Sequence, residues 1–114
     1  MDQDKAAVNK RSSRTRKLGN EMLQQLGKLP PQATDLEEAV LGALMLEKDA
    51  LTTIIDILKP DSFYKEQHKE IYEVIVELFN NSEPVDILTV TQGLRKKGKL
   101  DLVGGAYYVT ELTT

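Results

Sequence analysis

Any chemistry in this chain would have to be built around one imidazole. His68 is the sole histidine, and it stands in the run Leu58–Phe79 (LKPDSFYKEQHKEIYEVIVELF). Pro60, Phe63 and Tyr64 precede it, and Ile71, Tyr72, Ile75 and Phe79 follow. Tyr64 and Tyr72 are four residues away on either side, so on a helix they share its face. An imidazole placed this way is a candidate general base or metal ligand. Either role needs company. A base needs a converging nucleophile or carboxylate, and zinc needs three or four ligands. Glu66 and Glu70 are near in sequence but fall on other helical faces, and no further ligand type recurs at a helical spacing. The expectation is a structural histidine, hydrogen-bonded at the edge of a core.

Other candidates dissolve in the same way. Glu37/Glu38 and Glu73/Glu77 could be imagined as acid–base or metal pairs. No histidine or aspartate completes either one, and the pair at 73 and 77, one turn apart, reads as a solvated face. Gly104-Gly105 is no phosphate loop, because neither G-x-x-x-x-G-K-[ST] nor G-x-G-x-x-G occurs. The two glycines read as a turn needing positive φ. Catalytic, cofactor-binding and metal-ligating residues are therefore all expected to be none.

Composition narrows the class. The chain has 114 residues, 40% of them hydrophobic, and no cysteine. That leaves room for one domain and excludes disulfides, thiolate zinc sites and cysteine nucleophiles. The longest nearly unbroken apolar run, Ala39–Leu46, is too short to span a bilayer, and no secretory leader pattern is present. A cytoplasmic protein without membrane attachment is expected. The net charge of −3 hides a split. Residues 1–34 carry seven basic and three acidic groups, and residues 35–114 carry eight basic and fifteen acidic. A basic arm thus precedes an acidic body, which is a poor surface for gripping a phosphate backbone. The arm itself, Lys10 to Lys17, lacks interleaved aromatics for base stacking and reads first as a solvated tail.

The positioning elements all follow helical periods. Residues 1–33 read as a flexible basic arm and proline-rich linker, with a marginal helix between Gly19 and Gly27 carrying Leu18, Met22 and Leu26 on one face. Folding begins at residue 34. Thr34 or Asp35 caps a helix Leu36–Leu46, in which Gly42 marks a close helix approach and Glu37 and Glu38 meet the helix dipole. Asp49 caps a second helix that runs to Lys59 and is stopped by Pro60. A third runs from about Lys65 to Asn80, and a fourth, capped by Asp86, to Lys97 with Gly98 closing it. After Leu100–Val103 and the double glycine comes a last short helix, Ala106–Leu112. The predicted fold is all-α: a small orthogonal bundle of about five to six helices over residues 34–114.

The ordered set Glu37, Val40–Leu46, Pro60, Phe63-Tyr64, His68, Ile71-Tyr72, Pro84-Val85-Asp86, Gly104-Gly105, Tyr108 and Leu112 resembles the amino-terminal domain of bacterial replicative DNA helicases of the DnaB type. The structural signature is Gly42, Pro60, Phe63, Tyr64, His68, Tyr72, Asp86, Gly104 and Gly105. The resemblance covers roughly residues 30–114. It implies a non-catalytic interaction and oligomerisation domain in the collar of a hexameric, ATP-driven 5′→3′ helicase, docking primase and, in some lineages, a loader. ATP, magnesium and DNA would belong to a separate motor domain of the parent, whose phosphate loop is absent here. In the family a helical hairpin follows near Thr114, so this fragment is expected to be a monomer or weak dimer. Truncation would bare the last helix, making Tyr107, Tyr108 and Leu112 the candidate partner interface. Two other readings compete: a helicase-docking domain of another replication protein such as primase, and a nucleic-acid-binding module using the basic arm.

Overall fold

A computed structural model of the chain describes residues 33–114. Among them are six α-helices and no strand: α1 Thr34–Leu46, α2 Lys48–Ile54, α3 Glu66–Asn80, α4 Ile87–Lys96, α5 Leu100–Val103 and α6 Gly105–Glu111, with a 3-10 turn at Pro60–Ser62. The basic arm, the proline linker and the expected Gly19–Gly27 helix lie outside the described residues.

The core follows the apolar stripes. Val40, Leu41, Leu44 and Met45 of α1, Ile71, Tyr72, Val74 and Ile75 of α3, and Val90 and Leu94 of α4 are buried, with Val103 and Val109 closing one end. Helix α3 is the hub: it touches the 3-10 turn, α1, α4 and α5, while α6 packs on α4 and α5.

Several boundaries differ from the periodicity. Thr34 and Asp35 do not cap α1. The helix starts two residues earlier, with the Glu37 amide donating to the Ala33 carbonyl at 3.1 Å, and Asp35 sits inside the first turn. Glu47 is extended and separates α1 from α2. Helix α2 ends at Ile54, not Lys59. The run Thr52-Thr53-Ile54-Ile55 is β-branched throughout, and both threonine hydroxyls donate back to the Asp49 carbonyl, at 3.0 and 3.3 Å. Crowding at χ1 together with this back-bonding weakens the helix before Pro60 is reached. Pro60 then opens the 3-10 turn instead of halting a helix, behind an extended Lys59 whose amide donates to Ser62 Oγ at 3.1 Å.

Elsewhere the local chemistry acts as its residue types dictate. Asp86 caps α4 in a reciprocal box: the Thr89 amide donates to Asp86 Oδ1 at 2.9 Å, and the Asp86 amide donates to Thr89 Oγ1 at 3.0 Å. Leu100–Val103 forms a single helical turn that the pattern did not mark. Gly104 and Gly105 take φ of 109° and 80°, a region costly for any residue with a Cβ, and so swing α6 back across the bundle.

Candidate functional site

His68 lies in the core, fully buried, in the first turn of α3. Its ring is held at both ends. Nδ1 is 2.7 Å from Glu37 Oε1, and Nε2 is 2.6 Å from the Tyr108 hydroxyl. The expectation that no carboxylate converges on it is therefore corrected: the partner comes from another helix, thirty-one residues upstream. Glu37 is 1% exposed and serves two further groups. The amides of Tyr64 and Lys65, at the entrance to α3, donate to its two oxygens at 2.6 and 3.5 Å. A carboxylate at a helix amino terminus is favoured by the dipole and by charge-assisted hydrogen bonds. The dipole it serves is mainly that of α3, not that of its own helix.

With Nδ1–H donating to the Glu37 carboxylate, Nε2 is left to accept from the Tyr108 hydroxyl, which also has Glu38 Oε2 within 3.4 Å. Burial pushes the Tyr108 phenol up from its ordinary range; a Gln67 hydrogen bond opposes this, and the charge of Glu38 adds to it. A phenol that holds its proton more tightly is a poor nucleophile at neutral pH. The carboxylate–imidazole–hydroxyl order is that of a catalytic relay, but two surface cavities among the described residues lie elsewhere, at the α3–α4 flank and beside α2. What this geometry does best is fasten α1, α3 and α6 together.

The aromatic signature divides. Phe63 is buried, with its ring 5.1 Å from that of Tyr72 and 6.4 Å from that of His68. Tyr72 donates to the Leu58 carbonyl at 2.9 Å, and its phenol is pushed up to about 12, by burial first and then by Asp56. Tyr64 does not pack as the spacing suggested. Its side chain is 56% exposed, and only its backbone amide joins the seam. The aromatic ring stacked on His68 is that of Tyr108, from forty residues downstream.

The predicted interface trio also separates. Tyr108 is half-buried and committed to His68. Leu112 packs on the core, and a Cβ placed on Gly42 would strike its carbonyl oxygen, so the close approach made by Gly42 is to the end of α6. Tyr107 alone is free, 76% exposed, with Leu102 of α5 also exposed. Glu73 and Glu77 face solvent and share Lys97, at 3.4 and 3.0 Å. Burial pulls the Lys97 ammonium down, but the hydrogen bonds and charges of Glu77 and Glu73 outweigh it and leave the group raised. Among the described residues no group of three or more His, Cys, Asp or Glu could hold a metal ion, and no helix is long and apolar enough to cross a membrane.

A family model, the DnaB-like helicase N terminal domain, matches residues 29–114. The chain belongs to this family. It is 46% identical over 101 residues to the replicative DNA helicase DnaB of Rhodothermus marinus, covering 89% of this chain and 11% of that protein. An alignment of that length takes in residues 14–101 wherever it begins, so it includes part of the basic arm. The chain is 44% identical over 85 residues to the replicative DNA helicase DnaC of Bacillus subtilis (strain 168), covering 75% of this chain and 19% of that one. It thus spans between about a tenth and a fifth of the length of these two relatives. The crystal structure of the N-terminal domain of DnaB helicase from Mycobacterium tuberculosis superposes with a TM-score of 0.71 at 38% identity, covering 74% of this chain and 58% of that one. The DnaB-type N-terminal fold is therefore the setting in which the Glu37–His68–Tyr108 seam operates.

Proposed function

We infer that this DnaB-like N-terminal domain is an interaction module of a replicative helicase, packing against neighbouring subunits and docking primase or a loader, and that it performs no catalysis itself. The observation that carries the reading is the division of labour in α6. Its polar anchor, Tyr108, is turned inward to fix the helix, while the preceding residue, Tyr107, is left bare, as is Leu102 of the adjoining α5. Exposed aromatic and aliphatic side chains on a rigid element are the anchors that protein interfaces use. The sole histidine is spent on folding, and Glu73 and Glu77 neutralise a lysine at the surface. ATP and magnesium, in this reading, are handled by a separate motor domain, and the protein works in the cytoplasm.

Sedimentation of the chain alone and with the cognate primase's carboxy-terminal domain tests this. Concentration-dependent self-association or a faster-sedimenting mixture is expected, with either one weakened about tenfold or more by Tyr107→Ala, the loss typical of a strong interface residue. A chain that stays monomeric and ignores primase, or an association indifferent to Tyr107→Ala and Leu102→Ala in a folded protein, overturns the reading.

A further inference from the structure

A groove of about 480 Å³ runs along the α3–α4 flank. Val74 and Leu78 line it from α3, and Gly93 lets α4 approach so closely that a Cβ there would stand 2.6 Å from Val74 Cγ1. Arg95 and Lys96, at the carboxyl end of α4, stand over one side. No lining residue belongs to α5 or α6, so the groove is separate from the Tyr107 surface. We propose that it docks an acidic, extended segment of a partner protein, whose carboxylates engage Arg95 and Lys96.

Charge complementarity carries the choice of occupant. Residues 35–114 hold eight basic groups among fifteen acidic ones, and four of the eight are Arg95, Lys96, Lys97 and Lys99. The helix dipole favours cations in the last turn of α4, but it does not decide what they bind. Two of the four are spent inside the molecule, Lys97 on Glu73 and Glu77, and Lys99 on Glu70. Arg95 and Lys96 are exposed and form no ion pair among the described residues. Of the two carboxylates lining the groove, Glu77 already shares Lys97, which leaves Glu83 alone to oppose them. A basic spot on an acidic body attracts an acidic partner there and repels it elsewhere, so it fixes the place of docking as well as favouring it. The Arg95 guanidinium has the fork that takes a carboxylate by two hydrogen bonds. Asn81 and Gln92, exposed in the same groove, add amide N–H donors. Nucleic acid is the poorer fit. No aromatic side chain lines the groove for base stacking, and the surrounding acidic body repels a phosphate backbone.

Titrating the isotope-enriched full chain with a short synthetic peptide of alternating glutamate and leucine tests this. Saturable amide shifts are expected at Gln92, Gly93 and Lys96, with affinity falling as salt is raised. Changing Arg95→Gln and Lys96→Gln together is expected to weaken binding about tenfold or more. Both side chains are exposed, so the bundle stays folded, and unmoved resonances of the buried Ile75 and Leu94 check this. Four results overturn the proposal. The first is no saturable shift at the groove. The second is binding that the double variant retains. The third is equal binding of the same peptide with glutamine in place of glutamate. The fourth is a groove that responds to oligothymidylate and not to the peptide, which would make it a nucleic-acid surface. A Tyr107→Ala chain is expected to titrate as the unaltered chain does, so failure here and failure at the α6 surface are read apart.

Discussion

Glu37 and the pair Glu73/Glu77 look alike on paper: glutamates near the ends or middle of amphipathic helices. In the folded chain they occupy opposite regimes. Glu37 is removed from water and accepts from two backbone amides and an imidazole, joining α1 to the start of α3 across some thirty residues of sequence. Glu73 and Glu77 keep about half of their side-chain exposure and share one lysine across the α3–α4 flank. A buried carboxylate has given up its solvation, so everything depends on its partners remaining in place. An exposed one trades water for lysine at nearly equal free energy. Similar residues thus carry very different energetic stakes, and substitution should separate them.

The widest gap is expected at Glu37 itself. Glu37→Ala strands the Tyr64 and Lys65 amides and the His68 Nδ1 in a dry interior, and a loss of about 3–5 kcal/mol is expected. Urea titration followed by circular dichroism reads it, and a loss under about 1 kcal/mol would erase the contrast. Next comes Gly42→Ala, which drives a Cβ into the Leu112 carbonyl. Overpacking of this kind costs about 1–3 kcal/mol, and the end of α6 should show the largest amide shift changes. Tyr108→Phe removes the hydroxyl from His68 Nε2 while keeping the ring, for about 1–2 kcal/mol.

Alkali sharpens the comparison from another side. Tyr72 keeps its proton up to about 12 against an ordinary 10.0. Below pH 10 both folded and unfolded chains hold that proton and stability is unaffected. Between 10 and 12 the unfolded chain ionises first, so stability falls as pH rises. Tyr72→Phe should flatten that slope in alkaline unfolding curves; an unchanged slope would remove Tyr72 as its source. The smallest effect is assigned to Lys97→Ala, about 0.5 kcal/mol or less and shrinking further in high salt. If Lys97→Ala rivals Glu37→Ala, the two regions are not the opposites their burial suggests.

How much of this could be read from the residues depends on range in sequence. The helices were legible because periodicity is local: Leu36–Leu44, Ile71–Leu78 and Ile87–Leu94 each mark their own buried face. The Asp86 box and the Gly104-Gly105 turn were legible for the same reason, since each motif is complete within a few residues. The end of α2 is not legible from Pro60, because the β-branched run Thr52–Ile55 before it acts sooner. The seam was illegible as a whole. His68 could be recognised as structural, but its partners lie thirty-one and forty residues away, and no local spacing joins them. One signal was available. Glu37 stands three and four residues before Val40 and Leu41, on the apolar face of α1, where a carboxylate belongs only if something inside awaits it. Tyr107 and Tyr108 are neighbours of one type, and sequence could not say which faces inward.

The contact between Gly42 and the Leu112 carbonyl has a geometric consequence. It registers the backbone at Leu112 against α1, so the bearing of the chain at Thr114 is set seventy residues upstream in sequence. Any chain continuing from there acts as a pointer whose angular error grows with its length. An added methyl group at residue 42 would therefore be felt as misdirection as well as lost stability, with a tilt of a few degrees at that contact becoming ångströms at the tip.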